Sequence, residues 1–92
     1  MGLFSLTQEL GIDLGTANTL IIHNDKVVVD EPSIVAIDAH SEKLVAIGHQ
    51  ARQMHEKTNP RIRTIRPLKD GVIADFNATE LMLRGMIKKV RM

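Results

Sequence analysis

Asp13 and the run Gly15-Thr16-Ala17-Asn18 carry the residue types best suited to chemistry in this chain. All four residues of the run are small, so a turn built from them exposes backbone N–H groups with no side chain in the way. Such a turn can form a nest of donors for a phosphate, and the Thr16 hydroxyl adds one more. Asp13 could not touch that phosphate without like-charge repulsion. Its sensible role is to hold the accompanying cation, and Mg²⁺ would be held through water because it gives up its hydration reluctantly. The same residues also suit a plain β-hairpin turn, and short glycine motifs are weak evidence alone, so the turn by itself leaves both readings open. The run is not a Walker loop, since it has no Gly-Lys-Ser/Thr and no helix follows it. It is not a dinucleotide fingerprint, since the third glycine is missing.

The elements that must position this turn can be read on either side of it. Leu10, Ile12 and Leu14 alternate with Gly11, Asp13 and Gly15, which predicts a strand with one apolar face. Apolar residues return at Thr19-Leu20-Ile21-Ile22, so the pattern is strand, polar turn, strand. Further strands are expected at 26–30 and 33–37, with a tight hairpin at His23-Asn24-Asp25-Lys26 because Asn and Asp tolerate positive φ. Val27-Val28-Val29 reads as a strand buried on both faces. Pro32 cannot donate to a ladder and marks a bulge or break before 33–37. The first three strands are adjacent and antiparallel, a meander.

A polar turn at 38–43 leads to a short strand at 44–47. Gly48 opens a helix over 49–56 with Ala51 and Met54 on its buried side, ended by Thr58-Asn59-Pro60. Arg61, Arg63 and Arg66 alternate with Ile62 and Ile65 and suit a solvated edge segment. Lys69-Asp70-Gly71 is a tight turn that accounts for Asp70 without catalysis, and Asp75 helps to start the last helix. In that helix Asn77 is the expected cap, with Glu80 completing a capping box and Phe76 and Leu81 placed as a hydrophobic staple. Leu83, Met86, Ile87 and Val90 form its apolar stripe, and Met82 and Met86 read as core filler. Gly85 costs the helix about 1 kcal/mol relative to Ala, which points to close packing there.

Composition narrows the field. With 92 residues the chain allows one small domain with a modest core. Its 43% hydrophobic and 25% charged content is ordinary for a globular protein, and a net charge of +1 implies no nucleic-acid partner. Without cysteine there is neither a disulfide framework nor a thiolate metal site, which suits a cytoplasmic chain. His23, His40, His49 and His55 lack metal-ligand spacing. Ser5, Ser33 and Ser41 have no recognisable base partner, and Phe4 and Phe76 are too few for a base-stacking platform. No run of about 18 apolar residues spans a membrane, and the start of the chain is no secretory signal. Residues 1–9 place Leu3, Phe4 and Leu6 near helical spacing with Leu10. They form either a plain leader or a short amphipathic segment on a membrane surface, although the Lys and Arg usual in such segments are absent.

Four stretches taken in order favour the phosphate reading of the turn. They are Ile-Asp-Leu-Gly-Thr-Ala-Asn-Thr (12–19), Val-Asp-Glu-Pro-Ser-Ile-Val-Ala (29–36), Ala-Ile-Gly-His-Gln-Ala (46–51) and Ile-Arg-Pro-Leu-Lys-Asp-Gly-Val-Ile-Ala-Asp-Phe (65–76). Together they resemble the N-terminal part of the MreB family of bacterial actin homologues, from about Leu10 to the end. The first motif alone is shared with actin, heat-shock chaperone ATPases and sugar kinases. The combination with Glu31-Pro32-Ser33 and Arg66 through Phe76 looks like MreB specifically. The resemblance implies an α/β fold, the N-terminal part of an actin-like (ribonuclease H-like) ATPase domain. It would comprise a leader (1–9), the first strands of domain IA (10–37), a small inserted subdomain IB (38–66) and a return to IA ending in a helix (67–92). It further implies ATP and Mg²⁺ as ligands, with Gly15, Thr16, Ala17 and Asn18 on the phosphates and Asp13 serving the metal through water. No catalytic residue carries over, because the family's catalytic carboxylate, second phosphate loop and adenosine pocket lie downstream of Met92. The whole protein would be a slow ATPase and this stretch alone inactive. The implied partners are further copies in a filament, contacted in part through the inserted subdomain, the inner membrane face through 1–9, and the proteins of wall synthesis and rod shape. The rival readings are another ATPase of the superfamily, chaperone-like or a sugar kinase, and a small non-enzymatic interaction module.

Overall fold

A computed structural model describes residues 10–57 and 59–90. The amphipathic reading of residues 1–9 lies outside the described residues, as do Thr58 at the end of the first helix and the last two residues. The element order is β1 (Leu10–Leu14), β2 (Asn18–His23), β3 (Lys26–Pro32), β4 (Val35–Asp38), β5 (Leu44–Ile47), α1 (Gly48–His55), β6 (Ile62–Ile65), β7 (Leu68–Lys69), β8 (Val72–Ile73) and α2 (Phe76–Ile87).

The first three strands form the expected antiparallel meander, in the order β1-β2-β3. Asn24 and Asp25 both take positive φ, 52° and 64°, as a two-residue hairpin twisted with its strands requires. Ile21 pairs with Val29 and Ile22 with Val27, so Val28 is left over as a bulge. Pro32 is the last residue of β3, and the chain then leaves the sheet. The next strand, β4, joins a second antiparallel sheet in the order β5-β4-β6. Its residues alternate between two helices: Ala36 packs with Ile34, Ala46 and Ala51 on the α1 side, with Met54 and Ile62 against them. Val35 and Ile47 join the larger cluster of Ile21, Val29, Leu68, Ala78, Met82, Met86 and Val90 on the α2 side. The second sheet is therefore a layer between helices, and α2 bridges both sheets.

Several expectations shift in detail. Val27-Val28-Val29 is not buried on both faces: Val27 is 55% and Val28 43% exposed, and only Val29 is inside. The doubly covered run is Ile34-Val35-Ala36-Ile37, none more than 5% exposed. The segment with Arg61, Arg63 and Arg66 contributes an edge strand, β6, with Arg61 paired to Asp38 and Arg63 to Glu42, each at 3.3 Å. Asp38 is held below the usual carboxylate range by the Ser41 and His40 amides, with Arg61 adding to this against slight burial.

The start of α2 is a second correction. The cap is Asp75, whose carboxylate accepts the Ala78 N–H at 2.9 Å, and not Asn77. Pro67 O takes the Ala74 and Asp75 amides at 2.7 and 3.1 Å and fixes the chain there, so the helix begins two residues earlier than expected. The staple positions then become Ala74 and Thr79, and Phe76 turns outward, 73% exposed. Glu80 does not close a capping box. It bonds Arg84 one turn on at 2.9 Å. Met82 and Met86 are both fully buried, as core filler should be, and a Cβ on Gly85 would stand 2.5 Å from Ile47 Cδ1, which is the close packing expected there.

Candidate functional site

The small-residue turn sits at one end of the meander, between Leu14 and Asn18, and its shape is set by residues far away in sequence. Ser33 N–H donates to Ala17 O at 2.8 Å, and Ser33 Oγ–H donates to Gly15 O at 2.6 Å. Behind it Thr19 Oγ1 lies 2.7 Å from Ser33 Oγ, both residues fully buried. From the other side, Gly71 N–H donates to Thr16 Oγ1 at 2.7 Å. That bond comes from the tip of the β7–β8 hairpin, where Asp70 and Gly71 take φ of 52° and 75° in the tight turn the sequence predicts. It uses Thr16 as an acceptor and leaves the hydroxyl proton free to donate outward. Asn18 Nδ2 donates to Asp30 Oδ1 at 3.0 Å. A Cβ on Gly15 would run into the Asn18 carbonyl, so only glycine lets the turn close this tightly.

Among the described residues no hydrogen bond takes the backbone N–H of Thr16 or of Ala17. The loop is thus held through its carbonyls and its threonine oxygen while those amides stay unused. Asp13 is exposed on β1 and makes no ion pair among the described residues. Its register partner on β2 is Leu20, which in turn faces Asp30, so Asp13, Leu20 and Asp30 share the outer side of the meander. Among the described residues no three His, Asp or Glu converge on one point. A hydrated Mg²⁺ ion held chiefly by phosphate needs only one such carboxylate, and Asp13 fits that modest demand.

A second polar centre ties this sheet to the rest. Glu31 is 7% exposed at the end of β3. Its Oε1 accepts the His49 N–H at 3.0 Å and so caps α1, whose own N-cap residue, Ile47, has no side-chain oxygen. Its Oε2 accepts from Lys89 Nζ beyond the end of α2. Burial works to raise the Glu31 pKa, but the Lys89 ammonium and the His49 amide outweigh it and hold the carboxyl below its ordinary value. Gly48 beside it has φ of 61°, and a Cβ there would overlap the Glu31 carboxylate. Sequence reading gave neither Glu31 nor Ser33 a role. The signal was the Glu-Pro-Ser triplet itself, two polar residues around a strand-ending proline in an otherwise apolar stretch.

The model of the MreB/Mbl protein family matches residues 7–92. The chain belongs to the MreB/Mbl family. As an MreB-type chain it stands with the actin-like cytoskeletal proteins of bacteria, and its antiparallel sheets with a C-terminal helix are the α/β architecture expected from the motifs. It is 54% identical to the cell shape-determining protein MreB of Escherichia coli over 97% of its length, and 52% identical to the cell shape-determining protein Mbl of Bacillus subtilis over 90%. Those alignments span 26% and 25% of the two relatives. Among solved structures, MreB5 of Spiroplasma citri bound to AMPPNP superposes with a TM-score of 0.83 at 37% identity, over 96% of this chain and 27% of that one. The same protein bound to ADP gives 0.77 at 40% identity, over 87% and 25%. The MreB-type chain described here thus spans about a quarter of the length of the relatives it matches.

Proposed function

We propose that this chain forms one wall of the nucleotide site of an MreB-type cytoskeletal ATPase. Gly15 through Asn18 receive the phosphates of ATP, and Asp13 holds Mg²⁺ through water. The observation that carries this reading is the loop itself: its carbonyls of Gly15 and Ala17 are both engaged from Ser33, and its Thr16 and Ala17 amides are unused. Unpaired N–H groups on a tight turn of small residues are an anion nest, and the Thr16 hydroxyl proton extends it. The likeness to MreB5 bound to AMPPNP and to ADP supports nucleotide as the anion.

In this reading the residues bind and orient. Bound Mg²⁺ would supply charge neutralisation between phosphate oxygens, and Asp13 positions that charge without touching the phosphates. No residue of this chain is assigned as the base for an attacking water, so hydrolysis would depend on the remainder of the whole protein. The division into IA strands (10–37), inserted IB (38–66) and IA return (67–92) belongs to the same proposal, as do assembly into filaments, residence in the cytoplasm at the inner membrane face, and a role in rod shape and wall synthesis.

The test is Mg-ATP titration of the whole protein followed by sedimentation. ATP binding that weakens with Asp13→Ala only when Mg²⁺ is present, and ATP-dependent pelleting, are the expected results. A nucleotide complex that leaves the amides of Gly15, Thr16, Ala17 and Asn18 unperturbed would overturn the assignment. The 92-residue chain alone is expected to turn over no ATP, and turnover above a buffer blank that disappears with Asp13→Ala would contradict that.

A further inference from the structure

Three hydrogen bonds at the loop pass through one buried residue, and their proton order can be worked out. A carbonyl oxygen has no proton to give, so in the 2.6 Å contact between Ser33 Oγ and Gly15 O the serine is the donor. Its single hydroxyl proton is then spent. The 2.7 Å contact with Thr19 must therefore be donated by Thr19. The order is Thr19 O–H to Ser33 Oγ, and Ser33 O–H to Gly15 O. Ser33 N–H reaches Ala17 O in parallel.

The consequence follows from peptide geometry. Among the described residues no peptide bond is cis. A planar trans peptide aims its N–H opposite to its C=O. The Gly15 carbonyl is drawn toward Ser33, so the Thr16 N–H on the same plane faces away from it. The Ala17 carbonyl is drawn the same way, so the Asn18 N–H also faces away. One buried serine thus orients two peptide planes and draws both carbonyl oxygens toward itself.

We propose that Ser33, backed by Thr19, is the positioning residue of the phosphate loop, presenting the Thr16 and Asn18 amides by holding the two carbonyls inward. The inference rests on the phosphate reading above and adds to it the device that keeps the nest open. Either plane turned over would put a carbonyl oxygen where a phosphate oxygen must sit, and two partial negative charges would meet. Ser33 touches no phosphate itself. Thr19 acts one step further back, by taking up the lone-pair side of Ser33 and biasing its proton toward Gly15.

The test uses the full chain and follows backbone amides by NMR during titration with Mg-ATP and with Mg-pyrophosphate. Wild type is compared with Ser33→Ala, Thr19→Val and Thr19→Ser. We expect the Thr16, Ala17 and Asn18 amides of wild type to respond. Ser33→Ala should weaken both ligands about tenfold, the size of one lost buried hydrogen bond, and Thr19→Val about threefold. Thr19→Ser restores the hydroxyl and should return affinity to within about twofold of wild type. The ladder amides of β1, β2 and β3 should keep their shifts in every variant, a pattern that general destabilisation would not leave intact. If the wild-type loop responds and both Ser33→Ala and Thr19→Val bind as wild type does, the positioning role is wrong and the phosphate reading stands. If the wild-type loop is silent, the phosphate reading fails and this inference goes with it. Should Ser33→Ala not fold, Thr19→Val, which keeps the side-chain shape, decides by the same criterion.

Discussion

The two three-stranded sheets of this chain each contain or adjoin an unbroken apolar run, Val27-Val28-Val29 and Ile34-Val35-Ala36-Ile37, and these runs end up in different surroundings. The second sheet, β5-β4-β6, lies between α1 and α2, and Ile34 through Ile37 are inside on both sides. The first sheet, β1-β2-β3, packs one side against the core and leaves Val27 and Val28 half exposed on the other. The proposed phosphate loop belongs to the half-covered sheet. A loop that must present bare amides cannot sit under a helix, yet it needs a rigid base. The covered sheet and its helices supply that base through two connections. Ser33 lies on the segment that leaves the first sheet for the second, and Glu31 bonds α1 and Lys89 at once. Buried packing gives the stability in one region, and polar bonds across the boundary carry it to the other.

Substitutions can break this contrast or sharpen it. Ile34→Ala, in the covered layer and fully buried, should cost about 3–4 kcal/mol and lower the denaturation midpoint accordingly. Gly48→Ala forces a side chain into positive φ and into the Glu31 carboxylate. A loss of more than about 2 kcal/mol in chemical denaturation is expected, with disturbed amides in both sheets. Glu31→Gln keeps the shape but removes the charge between His49 and Lys89. Because Lys89 is 44% exposed, the cost is discounted to about 1–2 kcal/mol.

Glu31 also predicts a pH dependence. Its folded pKa lies below its unfolded value, so its contribution is complete above the unfolded value of 4.5 and fades as pH falls through the lowered folded one. Wild type should therefore lose more stability on acidification than Glu31→Gln, and equal losses would remove the carboxylate from the account. The smallest effect is expected for Val28→Thr, at the bulge on the open side, within about 0.5 kcal/mol of wild type. A cost like that of Ile34→Ala would mean that this side is covered in solution, and the contrast between the sheets would not hold.

Much of the arrangement could be read from local pattern. Alternation gave β1, the return of apolar residues at 19–22 gave β2, and Asn24-Asp25 and Asp70-Gly71 gave the two tight turns. Each of these is decided within a few residues. Of the expected apolar stripe Met86 and Val90 are buried together with Met82, while Leu83 and Ile87 are only partly so. The misreadings fall where a distant contact chose between local options. Asn77 with Glu80 is a sound capping box on paper, but Pro67 O captures the Ala74 and Asp75 amides and moves the helix start to Asp75. Val27-Val28-Val29 and Ile34-Val35-Ala36-Ile37 are both unbroken apolar runs, and no periodicity tells a covered run from an open one.

The sequence by itself determined the small-residue turn, the carboxylate before it, the strands on either side and the family to which the whole belongs. These follow from side-chain size, alternation and motif order, which are properties of neighbouring residues. Only the tertiary structure decided which way the turn's peptides face, because Ser33 and Gly71 reach it from 18 and 55 residues away. A hydrogen bond depends on position in space and not on separation along the chain, so the orientation of the Thr16 and Asn18 amides is written in the fold.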